Sequence, residues 1–170
     1  MPSTADSVAS ILAPSLDSLA IVRVLTLKVA ADIPDEKLTA RACPNSNHAA
    51  YILGHIAWTE SFFITTFGRG DNGFPQSWNE RFGFGVETID DRGAYPSKQE
   101  LIDTMANVRA RLEAWLRGCT PDELLAPIEG DLAQFATSRA GLASSLGFHE
   151  GFHAGQLSTV RRSLGFPRLF

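Results

Sequence analysis

Cysteine is scarce: Cys43 and Cys119 are the only two in 170 residues, too few and too far apart for the disulfide framework of a small secreted domain. Both are expected as reduced thiols. A basic excess is missing as well, since 15 Lys and Arg stand against 19 Asp and Glu, so no electrostatic footprint for nucleic acid or an anionic membrane surface is expected. No early basic residue precedes the apolar N-terminal stretch, and Asp6, Pro14 and Asp17 interrupt it, which argues against a secretory signal. Arg23 and Lys28 break the longest apolar run near the start, so no bilayer span is expected and a cytoplasmic location follows. Repeats, low-complexity tracts and linkers are also lacking. With 44% hydrophobic residues, the chain 1–170 is expected to form one domain with a sizeable core.

What is present is helical periodicity. After a loose start, Leu16, Ala20, Val24, Leu27 and Ala31 give a first helical stripe that ends before Ile33 and Pro34. A second helix is expected from about Ser46 to Phe67, with Ala49, Ile52, Ile56, Phe63 and Phe67 facing the core and Gly68, Arg69 and Gly70 ending it. The segment 68–96 has six glycines and no period but holds Phe74, Trp78, Phe82, Phe84 and Tyr95, so it reads as a long aromatic loop. It serves either as a lid or as a plug for the bundle end. Ser97 and Glu100 form a capping-box pattern that opens the third helix, whose stripe runs Leu101, Met105, Val108, Leu112 and Trp115. Thr120 caps a short turn over Pro121, Asp122 and Glu123, and a fourth helix follows from Ala140 to Leu164. The expected fold is all-α: an antiparallel four-helix bundle with the aromatic loop between helices two and three.

The fourth helix carries the chemistry. Leu142, Leu146, His149, His153, Gln156, Val160 and Leu164 follow at steps of three or four, which puts two histidines on the core face. Residues four apart differ by about 40° around the helix and about 6 Å along it, so both imidazoles can reach one ion. Two unsatisfied imidazoles side by side in a core are costly, and a metal resolves that cost. His149 to His153 also matches HExxH, the zinc-peptidase pattern in which the glutamate is general base. Such sites take a third ligand downstream, yet no His, Asp, Glu or Cys follows Ala154. The third ligand must come from upstream. His55 sits in an apolar helical run and is chosen over His48, which follows Asn45, Ser46 and Asn47 and reads as a polar residue of the first turn. Glu150 is a candidate general base that must lean back to reach the site, its alternative being a solvated or salt-bridged flank residue. Gln156, on the histidine seam, is a candidate for orienting a ligand or bound water. A di-iron reading of Glu150 and His153 needs a second ExxH, which is absent.

Ile52 to His55 (ILGH), with His149, His153, Gly155 and Gln156 (HxxxHxGQ), resembles the DinB/YfiT-like four-helix proteins. The resemblance extends over nearly the whole chain in element order. It implies a divalent metal held by His55, His149 and His153 in an open-sided site, and a metal-dependent transferase using a low-molecular-weight thiol. Zinc is the first choice of metal, with nickel, iron or manganese as others that accept imidazole. A hydrolase using a metal-bound water and a non-catalytic metal-binding or stress-related protein are the alternatives. A small-molecule substrate is expected in either enzymatic case.

The back of the fourth helix has Ala143, Gly147, Gly151 and Gly155 every four residues, and Glu150 is its only charged residue between Arg139 and Arg161. Three glycines in a helix cost roughly 3 kcal/mol. Close packing must offset that, and the stripe is expected to form the interface of a twofold homodimer, the alternative being coverage by the N-terminal segment or the aromatic loop.

Overall fold

The computed structural model describes residues 3–68 and 70–169. Its four long helices are α1 (Thr4–Ala31), α2 (Ala49–Phe63), α4 (Lys98–Gly118) and α6 (Arg139–Ser163), with short helices α3 (Asn79–Phe82) and α5 (Pro121–Leu125) between them. Among the described residues there is no strand, only an isolated bridge between Pro127 and Ser138. The all-α fold is as expected. α1 packs along α6 and α2 along α4, while α2–α6 and α1–α4 contacts close the ring.

Three of the starts are written in the sequence. Ser97 and Glu100 cap α4 reciprocally, Thr120 and Glu123 do the same for α5, and Ser138 accepts from the Gly141 N–H at the head of α6. α1 differs from expectation. It begins at Thr4 because Ser3 and Asp6 form a further capping box, and Val8 and Leu12 extend the buried face back from Leu16. Its core face is Leu16, Leu19, Thr26, Val29 and Ala30, whereas Val24 is 65% exposed. The reason is Arg23, whose side chain turns into the core and draws the polar side of the helix inward. By length and composition alone α1 is apolar enough to cross a membrane, with a mean hydropathy of 1.7 over 18 residues, so Arg23 and Lys28 do not interrupt it as much as expected. Its inner face meets α6 and α4.

α2 begins at Ala49 rather than Ser46, because His48 is the N-cap and its Nδ1 accepts from the Tyr51 N–H. A π-helical turn, Ile64–Gly68, follows it; of the residues expected to end the helix, Arg69 lies outside the described ones. The aromatic segment is ordered around Phe82, which is fully buried. A Cβ on Gly54 would lie 2.1 Å from the Phe82 ring, so glycine at position 54 is what lets this ring seat against α2.

The small-residue stripe of α6 faces α1 of the same chain. A Cβ on Gly147 would meet Ser18 and Leu19, one on Gly151 would meet Val22, and Ser144 hydrogen-bonds Ser15 at 2.8 Å. Gly147 and, at ordinary contact distance, Gly151 thus meet α1, whereas Gly155 has nothing within 4 Å and both Gly151 and Gly155 are exposed, so the close approach of α1 accounts for only part of the stripe.

Candidate metal centre

His55 comes from the middle of α2, and His149 and His153 from successive turns of α6. The structure brings these three together: one ligand nitrogen from each lies within 4.8 Å of the other two. The Nε2 of His149 is 3.3 Å from that of His55 and 3.1 Å from that of His153. Two nitrogens each about 2.0–2.1 Å from a tetrahedral ion stand about 3.3 Å apart, so the spacing is that of a ligand set.

The outer hydrogen bonds fix which nitrogen faces inward. His55 Nδ1–H donates to the Phe82 carbonyl at 2.7 Å, and His153 Nδ1–H donates to Gln156 Oε1 at 3.1 Å. Both rings therefore present an unprotonated Nε2 to the cluster. His149 has one proton at most to offer, so at least one of the two short contacts sets lone pair against lone pair. Such an arrangement calls for a cation. Burial reinforces it: desolvation, then the neighbouring imidazoles, push His149 down to about 3, and desolvation followed by His55 pushes His153 down to about 4. Burial also lowers His55, against the opposing bond to Phe82. All three are neutral, as ligands must be.

Glu150 requires correction. It is fully buried, and its carboxylate is turned away from general-base duty by two guanidiniums: Oε1 accepts from Arg23 Nε at 2.8 Å, and Oε2 from Arg109 Nη2 at 2.7 Å and Arg23 Nη2 at 3.2 Å. Glu60 on α2 accepts from the same pair, at 3.0 Å from Arg23 Nη2 and 3.1 Å from Arg109 Nε. Each long helix contributes one residue to this quartet. Glu150 is therefore salt-bridged, as its alternative reading had it, but in the core of the bundle rather than on a solvated flank. Gln156 holds His153 and also accepts from Asn47 Nδ2 at 3.4 Å. His48 is buried away from the cluster, with its Nε2–H donated to the Ile89 carbonyl at 3.0 Å.

A family model, the DinB superfamily, matches residues 18–157. The chain belongs to the DinB superfamily. Its members are metal-binding in general, and the three-histidine cluster is one that can hold a metal ion. No curated protein matches the chain. Within the DinB frame two contributors had no clear sequence signal. The Phe82 carbonyl is backbone and leaves no signature, although the Gly54 that admits it lies in the ILGH run. Arg23 reads only as a charge breaking an apolar run, and Arg109 follows the core residue Val108 with nothing in the sequence to mark it.

Proposed function

We propose that His55, His149 and His153 hold a divalent metal ion through Nε2, zinc before nickel, iron or manganese, and that the protein is a metal-dependent transferase using a low-molecular-weight thiol. The observation that carries the metal is the convergence of three neutral imidazoles, two of which, His55 and His153, already have their outward nitrogens committed. With three protein ligands a coordination position stays open. Bound there, the ion supplies Lewis acidity that makes a thiol or water nucleophilic at neutral pH. His55, through Phe82, and His153, through Gln156, keep their ring planes and tautomers fixed while ligands exchange. With Glu150 committed to Arg23 and Arg109, the proton of a bound thiol or water would have to leave under the influence of the ion alone; a thiol, the more acidic of the two when free, suits that better.

Metal analysis of the protein purified without a histidine tag should find about one ion per chain, and His55→Ala should abolish stoichiometric binding. Tag-free protein that takes up no divalent ion would end the proposal. For the reaction, turnover of an electrophile that depends on both metal and added thiol is expected; ester or amide hydrolysis without thiol would move the reading to a hydrolase.

A homodimer is proposed through the outer face of α1 and α6, on which Gly151 and Gly155 of the stripe are also exposed. Ile21, Val24, Phe148 and Phe152 are 64%, 65%, 77% and 59% exposed on the outer face of α1 and α6. Light scattering should find a dimer at micromolar concentration and a monomer for Phe148→Glu; a monomeric wild type would refute the pairing.

A further inference from the structure

Around the imidazoles the side chains are aromatic and uncharged. Trp58 stacks on His55 at 6.1 Å and 11°, and Phe84 meets His55 edge-on at 5.7 Å. Phe84 in turn touches Trp58 at 4.7 Å, Phe62 at 5.7 Å and Phe135 at 6.1 Å, the last nearly parallel at 11°. On the other side Phe152 meets His153 at 5.6 Å. These rings come from four separate segments, and they are not core: Phe84 is 48% exposed and Phe135 is 38% exposed. Bare aromatic surface beside a polar cluster is where a ligand gains most by burial.

Phe84 is held in place. The two residues before it are tied to α2, Phe82 by its carbonyl to His55 and Gly83 by its carbonyl accepting from the Tyr51 hydroxyl at 3.1 Å, and Gly85 takes a φ of +71° just after it. The bond that sets the tautomer of His55 thus also sets the ring above it. The nearest buried charges, Arg23, Glu60, Arg109 and Glu150, neutralise one another and leave no cation to receive an anionic group.

Resting on the metal reading above, we infer that the site takes an uncharged, planar aromatic substrate, its ring laid on the exposed surfaces of Phe84 and Phe135 beside Trp58 and its reacting atom directed at the three histidines. The selectivity is steric and apolar. Beyond the ion itself, a carboxylate or phosphate carried on the substrate's ring finds no cationic side chain among these aromatic residues, and desolvating that charge opposes its entry.

The test uses the full chain loaded with cobalt(II), whose visible spectrum reports ligands entering the open position. Imidazole, 4-phenylimidazole and 4-(imidazol-4-yl)benzoate are titrated. The phenyl compound is expected to bind at least about tenfold more tightly than imidazole, and the benzoate to lose that gain. In Phe84→Ala and, independently, Phe135→Ala, the ratio of phenylimidazole to imidazole affinity should fall toward one. A cobalt spectrum with no preference for the phenyl compound overturns the inference and leaves the metal site standing, as does a preference that survives in both variants. A chain that yields no cobalt spectrum removes the metal reading itself, and this inference with it.

Discussion

Two polar clusters lie in the same bundle, each built across α2 and α6, and they are opposites. Arg23, Glu60, Arg109 and Glu150 form a closed set: two positive and two negative side chains, with Arg23 and Arg109 also donating to the Met105 and Leu19 carbonyls. Only Glu60 Oε2 is buried without a partner. His55, His149 and His153 form an open set, in which the inward nitrogens of His55 and His153 are both acceptors and the single proton His149 can offer answers one of them at most. Glu150 lies directly between the two histidines in sequence, yet it belongs to the closed set. The difference teaches that a buried polar group marks a ligand site when its partners outnumber the protons available, not merely when it is buried.

The largest effect should come from opening the closed set. Arg109→Met leaves Glu60 and Glu150 to share Arg23, and the loss of one partner from a buried ionic network typically costs about 3–5 kcal/mol. Urea denaturation should show that loss in a metal-free protein, where the histidines cannot mask it. A change of less than about 1 kcal/mol would mean that the quartet is as replaceable as a surface ion pair.

The open set can be read separately by pH. His149 and His153 are depressed to about 3 and about 4 in the fold, by burial before neighbouring imidazoles, against about 6.5 unfolded. Below 6.5 the unfolded chain therefore binds protons that the native chain refuses, so the stability is complete above that value and is lost as pH falls toward 4. From pH 6.5 to 5 the loss should be about 1.6 kcal/mol per histidine. His48 and His55 are lowered too, by desolvation, so the wild-type slope sums all of them. Chemical denaturation of His149→Leu at several pH values should show a shallower slope; an unchanged one would mean that burial does not hold this ring neutral.

Much of this was legible in the residues. The third helix with its capping box, the Thr120 cap of the short turn and the seam carrying His149 and His153 follow from spacing and capping chemistry, and His55 follows from its apolar surroundings. The inner face of α1 was misjudged because its core side contains Arg23 and Thr26, which reads as polar until Glu60 and Glu150 are placed opposite. Glu150 was misassigned for the same reason: HExxH spacing fixes where a glutamate sits on a helix, but not which arginines on two other helices reach it. The glycine stripe correctly signalled a close approach. Its partner, α1, was a matter of tertiary packing that periodicity cannot name.

A smaller effect is expected behind the ligands. Gln156→Leu removes the acceptor that fixes the His153 tautomer while leaving all three imidazoles in place. Metal affinity, measured by competition with a chelator, should fall about 10–100-fold, and the stoichiometry should stay the same. If affinity is untouched, Gln156 is a packing residue and His153 is oriented by burial alone.

The smallest expected effect discriminates between two histidines of the same helix. His48 and His55 each donate one ring N–H to a loop carbonyl, Ile89 in one case and Phe82 in the other. They differ in the second nitrogen. Nδ1 of His48 accepts from the Tyr51 backbone N–H and so works as a helix cap, whereas Nε2 of His55 faces His149. His48 is thus satisfied by protein alone and belongs with the closed set, although it too is buried and neutral. Replacing it by alanine removes a cap and should cost about 1 kcal/mol, with metal stoichiometry unchanged; His48→Asn, which restores a capping acceptor, should recover part of that loss. Loss of metal from His48→Ala with retention in His55→Ala would exchange the roles of the two residues and dissolve the distinction drawn between satisfied and unsatisfied imidazoles.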